Sequence, residues 1–154
     1  MEWKIGLEER AQQPTLSIRT TVTMEALPST IGECYGRIAA YLGELGEQPA
    51  GIPFTAYRSL DLQNIDVEMG FPVAKPLPGR DNIQAGEIPA GLVVASRHRG
   101  PYAAMEKLYE NMFQWIEDNN YVSTGVYYEF YVNSPVEVPE MDLVTRVELP
   151  VVRK

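Results

Sequence analysis

The chain copies itself. Tyr35 and Tyr109, Tyr41-Leu42 and Trp115-Ile116, Gly51 and Gly125, and Tyr57 and Tyr131 all recur at one offset of 74 residues. Farther along, Val67-Glu68-Met69-Gly70-Phe71-Pro72-Val73 is echoed by Thr145-Arg146-Val147-Glu148-Leu149-Pro150-Val151 at an offset of 78. The change of offset falls in a strand-to-strand loop, where insertions are tolerated. Each copy reads as strand, helix, strand, strand. One amphipathic helix and three strands bury their own apolar surface poorly. The repeat therefore predicts two modules about a pseudo-twofold axis that share a core. A cleft is expected along that axis, since ligand sites favour seams between structural units.

The elements follow from periodicity. Leu16, Ile18 and Thr20 alternate with Ser17, Arg19 and Thr21, which predicts a first strand. Pro28-Ser29-Thr30 opens a helix, with Ser29 or Thr30 as cap and Glu33 in its first turn. Ile31, Tyr35, Ile38, Leu42 and Leu45 form its apolar face, and Gly46 ends it. Ile52 to Leu60 and Ile65 to Val73 read as strands, and 75–80 and 86–91 as a connector rich in Pro and Gly. Leu92 to Arg97 is a strand, and His98-Arg99-Gly100-Pro101-Tyr102 bends into a second helix. That helix carries Met105, Leu108, Tyr109, Met112, Trp115 and Ile116 on one face and ends at Asn119-Asn120. Leu143 to Val152 is the last strand. The fold class is α+β: duplicated strand-helix-strand-strand modules, an antiparallel sheet, two long helices and a central ligand cleft. One domain over 1–154 is expected, with pseudo-repeats at about 14–73 and 88–152.

Gly125 to Pro135 is the stretch most suggestive of chemistry. It is a strand dense in Tyr, Phe and Val, closed by Asn133-Ser134-Pro135. Alternation puts Tyr127, Glu129 and Tyr131 on one face and Val126, Tyr128 and Phe130 on the other. Glu129 stands where the first copy has Thr55. A carboxylate among aromatic rings loses hydration, which disfavours its charge unless a cation compensates. Ring faces attract cations, and methionine adapts to varied shapes. Tyr57, Tyr127, Tyr131, Phe71, Met69, Met112 and Trp115 are candidates to line such a site, with Tyr35 and Tyr109 offering phenols from the helices. The plainer reading makes Glu129 a solvated residue on a half-buried strand, and Met112 and Trp115 helix core. His98 reads as structural or exposed, Cys34 as packing, and Glu68 as a wet face with a secondary claim on the site.

Net charge and composition remove other classes. A formal charge of −8 and no Lys/Arg cluster argue against nucleic acid. One Cys and one His make neither a disulfide nor a His/Cys metal site, so no cofactor is expected. No apolar run approaches a membrane span, and the first residues lack a signal-peptide pattern, so a cytoplasmic location is the expectation.

The double module, the segments 67–73, 86–91 and 98–102, and Tyr128-Glu129-Phe130-Tyr131 followed by Asn133-Ser134-Pro135 resemble the GyrI-like small-molecule-binding domain. That domain is also the effector-binding module of AraC-type and MerR-type multidrug-responsive regulators. The resemblance covers roughly Thr15 to Val152. It implies a glutamate on the penultimate strand, at the position of Glu129, that meets amphipathic, cationic aromatic molecules. Regulators carry a helix-turn-helix ahead of this domain. Only about a dozen residues precede the first strand here, so no direct role with nucleic acid is expected. The resemblance leaves three functions open. One is stand-alone binding or sequestration of small molecules. The second is hydrolysis of cyclopropane-bearing alkylating compounds, with Glu129 as general acid or base and Tyr109 assisting. The third is a protein-interaction role such as gyrase modulation, with the partner unknown.

Overall fold

A computed structural model describes residues 3–59, 61 and 63–154. The chain divides into two compact units. One runs from Ala11 to Ala90; the other takes the chain before Ala11 and from Gly91 onward.

In the Ala11–Ala90 unit, β2 (Gln13–Val22), β3 (Phe54–Tyr57), β4 (Ile65–Pro72) and β5 (Gln84–Ile88) pair antiparallel in the order β3-β4-β2-β5. Helix α1 (Leu27–Glu44) covers one sheet face. Its stripe of Cys34, Ile38, Tyr41 and Leu42 meets Leu16, Ile18, Val67 and Met69 in one core. Cys34 is thus a packing residue, as expected. The helix starts earlier than its sequence suggests. Ala26 is its N-cap and Pro28 lies in the first turn, so Glu33 is beyond that turn. Ser29 and Thr30 do not cap it; both hydroxyls donate to the Ala26 carbonyl, at 3.0 and 2.9 Å. Pro28 brings its own helical φ and lacks an N–H, so the helix runs on through the two candidate caps. At the other end Gly46 turns left-handed at φ 71°. The N–H of Glu47 then reaches the Leu42 carbonyl and that of Gly46 the Gly43 carbonyl, satisfying the last carbonyls.

In the other unit, β1 (Gly6–Arg10), β6 (Gly91–Arg99), β8 (Tyr127–Tyr131) and β9 (Val144–Arg153) pair antiparallel in the order β1-β6-β9-β8, and β7 (Tyr121–Ser123) pairs with β9. Helix α2 (Glu106–Asp118) buries Leu108, Met112 and Ile116 against Val94, Val147 and Leu149. Leu108 is fully buried, and its truncation to Ala would cost about 2–5 kcal/mol. His98 lies within β6, and the bend begins one residue after Arg99.

The repeat is exact at the level of hydrogen-bonded register. Thr55 faces Met69 in β3–β4, and Glu129 faces Val147 in β8–β9; Leu16 faces Phe71, and Val94 faces Leu149. The Ala50 N–H bonds the Pro72 carbonyl, and the Thr124 N–H bonds the Pro150 carbonyl. Asn120 takes the left-handed turn of Gly46, at φ 63°. Strands β1 and β5 were not expected, and 86–88 is strand where a connector was expected. Both are edge strands, and only Ile88 among the residues of β5 is buried, so they carry little apolar alternation. Strand β3 stops at Tyr57, short of the expected end, and Leu60 lies outside the described residues.

Candidate functional site

Strand β8 alternates as its sequence dictates. Tyr128 and Phe130 are buried, and Tyr127, Glu129 and Tyr131 on the other face are half-buried. Because Glu129 sits opposite Val147, and Val147 lies in the core under α2, that face is the helix side. Tyr109 stands on α2 one residue past the buried Leu108. Its phenol donates to Glu129 Oε2 at 2.5 Å. Tyr131, two residues along the strand, donates to Oε1 at 2.8 Å. Rings continue outward on both sides. Tyr109 lies against Phe113 at 6.2 Å, Phe113 meets Tyr127 edge-on at 5.5 Å, and Tyr102 meets Tyr131 edge-on at 5.9 Å.

Burial pushes the Glu129 carboxyl above the usual carboxylate range, and the bonds from Tyr109 and Tyr131 offset part of that push. Glu129 nevertheless keeps some surface accessible and is not sealed in the core. The Tyr102 phenol is raised as well, first by burial and then by the charge of Glu129. Among the described residues no Arg, Lys or His forms an ion pair with Glu129.

Glu148 shows the contrast. It is buried too, which alone would raise its carboxyl, yet Arg10 at 2.5 Å and Arg146 at 2.8 Å hold it below the usual range. Glu68, the secondary candidate, is occupied by Arg58 at 2.6 Å and the Ser17 hydroxyl at 2.5 Å. A carboxylate dressed by phenols and rings but not by a cation is suited to receive a positive group or to exchange a proton.

The structure brings Glu129, Tyr109 and Tyr131 into direct contact and joins Tyr127 through Phe113. Two candidates of this unit sit elsewhere. Met112 is fully buried in the core beneath α2. Trp115 stacks on Tyr121 at 6.2 Å, because six residues beyond Tyr109 turn it to another side of the helix. In the Ala11–Ala90 unit, Tyr35 donates to the Phe54 carbonyl at 2.7 Å, lies 3.0 Å from Thr55 Oγ1, and packs its ring on Phe71 at 5.4 Å. Tyr57 flanks the core there, and Met69 is fully buried within it. Sequence reasoning missed Phe113 and Tyr102. Phe113 had a readable signal, standing four residues after Tyr109 on the same helix side. Tyr102 had none, since its place depends on the bend after β6.

Among the described residues no group of three or more His, Cys, Asp or Glu is arranged to hold a metal ion, and no helix is long and apolar enough to cross a membrane. A search of curated proteins finds no match. Solved structures do match. The fold is similar to the EcmrR C-terminal domain, with TM-score 0.84, 25% identity and full coverage of both chains. Against EcmrR in its complex with DNA the TM-score is 0.86 at 24% identity, and this chain covers 58% of that one. A hydrolase encoded by lin2189 from Listeria innocua has TM-score 0.70 at 14% identity, with 97% of this chain and 92% of that one covered. SAV2435 bound to tetraphenylphosphonium has TM-score 0.66 at 13% identity, with 99% and 94% covered. The family description that matches residues 4–152 is the GyrI-like small-molecule-binding domain. On that match, over nearly its whole length, the chain belongs to the GyrI-like small-molecule-binding family.

Proposed function

We propose that the chain binds amphipathic, cationic aromatic molecules at Glu129. The observation that carries this is the missing counter-charge. Glu148 and Glu68 each hold an arginine, whereas among the described residues Glu129 is held by the phenols of Tyr109 and Tyr131 and by no cation. A bound cation would supply what burial withholds from the carboxylate. The rings of Tyr102, Tyr109, Phe113, Tyr127 and Tyr131 would add cation–π attraction of about 0.5–2 kcal/mol each where a face meets the charge. The structural likeness to SAV2435, which binds the aromatic cation tetraphenylphosphonium, supports the same class.

The test is a calorimetric titration of wild type and Glu129→Gln with tetraphenylphosphonium and with neutral triphenylphosphine oxide. The cation should lose at least about tenfold in affinity in the variant, about 1.4 kcal/mol, while the neutral compound is spared. Equal losses for both ligands would refute the charge reading.

The short Tyr109–Glu129 contact also suits hydrolysis. A carboxyl held above its ordinary value takes a proton from water as it attacks a cyclopropane carbon, or gives one to the ligand carbonyl that receives the electrons of the opening ring, with Tyr109 steadying it. The similarity to a hydrolase of Listeria innocua fits this second reading. Incubation with a cyclopropane-bearing alkylator and measurement of product mass separates the two. Under hydrolysis Tyr109→Phe loses turnover and keeps binding; under binding alone no product forms.

A further inference from the structure

Three buried polar atoms of one unit have no hydrogen-bond partner among the described residues: Trp3 Nε1, His98 Nδ1 and Thr145 Oγ1. The residues that carry them are neighbours. His98 and Thr145 are directly opposed in the β6–β9 register, and the Trp3 and His98 ring centroids are 6.3 Å apart. His98 and Thr145 are almost wholly buried, at 2% and 0% exposure. Each orphaned atom costs free energy unless something polar meets it.

Their chemistry defines what fits. His98 Nε2 lies 3.0 Å from the Pro101 carbonyl, which only accepts, so Nε2 carries the proton. In the neutral ring Nδ1 is then an acceptor. Trp3 Nε1 only donates, and the Thr145 hydroxyl does either. From these atoms we infer that Trp3, His98 and Thr145 enclose a site for one water molecule. The water accepts from the indole and donates to Nδ1 and to the hydroxyl, the usual three bonds of an interior water.

The site ties together segments that matter for Glu129. Trp3 belongs to the arm leading into β1, and the Ser96 hydroxyl holds that arm by donating to the Lys4 carbonyl at 2.8 Å. His98 grips Pro101, Gly100 is fastened by its N–H to the Leu143 carbonyl at 2.8 Å, and Tyr102 follows with its ring against Tyr131. The water thus links the N-terminal arm to the bend that presents Tyr102.

Two measurements test this: a crystal structure of the wild type fine enough to show ordered water, and the melting temperature of Thr145→Val, which keeps the side-chain shape. Density bonded to all three atoms, with a lower melting temperature in the variant, supports the site. A dry site gives the opposite sign, because valine relieves an unpaired hydroxyl. Missing density, or a melting temperature unchanged or raised, overturns the inference. Should Thr145→Val not fold, the wild-type crystal structure decides alone: density bonded to all three atoms supports the site, and its absence overturns the inference. Neither measurement involves ligand, so the result stands apart from the reading of Glu129.

Discussion

The two copies of the module place a phenol from the helix over the same strand position and finish differently. Tyr35 donates to the Phe54 carbonyl and lies beside the Thr55 hydroxyl, both neutral groups. Tyr109 donates to the Glu129 carboxylate. Register, helix position and phenol are shared; the strand residue beside the phenol is not. The first copy shows what the scaffold needs, a helix-to-strand tie made by tyrosine. The second shows what was added to it. That addition is costly, because burial works against the charge and no cation of the described residues answers it. A group that stability does not require is the better candidate for function.

Exchanging the two side chains should break this comparison most visibly in the first copy. Thr55 is fully buried. Thr55→Glu would set an uncompensated carboxylate in that place, at a cost of about 3–5 kcal/mol or through neutralisation of the new group. Chemical denaturation measures the loss. A cost below about 1 kcal/mol would mean that both copies tolerate a carboxylate equally, and Glu129 would no longer stand apart.

The reverse exchange, Glu129→Thr, should leave folding intact, since the first copy already demonstrates the arrangement. Affinity for tetraphenylphosphonium should fall by about 2–5 kcal/mol, the usual effect of truncating one partner of a buried charge pair. Full affinity in this variant would move the cation site elsewhere.

Much of this contrast was legible in the sequence. The constant offset gave the modules, and alternation along Tyr127 to Tyr131 put Glu129 and its two flanking tyrosines on one face. Tyr109 was readable as an inward phenol. The edge strands β1 and β5 were not, because their residues are mostly exposed and pair by backbone alone. Trp115 flanks the core of its unit, the plainer of its two readings, and helical spacing alone does not say which side of a wide apolar stripe meets the strand. Tyr102 depends on a bend held by His98, Gly100 and Leu143, contacts that no local pattern announces.

A smaller effect separates the two phenols. Tyr35→Phe and Tyr109→Phe should each cost about 1 kcal/mol of stability through the lost hydrogen bond. Only Tyr109→Phe should alter the pH dependence of cation binding. The phenol holds the Glu129 carboxyl down, so its removal lets burial raise that group further. Binding needs the ionised form, and affinity is lost as pH falls through the carboxyl's acidity. The midpoint of that loss should therefore move to higher pH. Identical profiles for wild type and Tyr109→Phe would show that the phenol does not tune the carboxylate.

The subtlest expectation concerns stability and pH. The folded chain holds the Glu129 carboxyl above its ordinary value, whereas the unfolded chain does not. Below the ordinary value both states carry the proton and Glu129 is no burden. As pH rises, the unfolded chain ionises first, and stability is lost until the folded group ionises too. Glu148 and Asp66 act in the opposite sense, since their partners hold them low and their contribution is lost in acid. The difference between Glu129→Gln and wild type cancels those groups. It should appear as a higher melting temperature for the variant at neutral pH that vanishes in acid. The tyrosines already offset part of the burial, so the gain is smaller than the binding effects above. A variant less stable than wild type at neutral pH would make the carboxylate part of the scaffold after all, on the same footing as the threonine of the first copy.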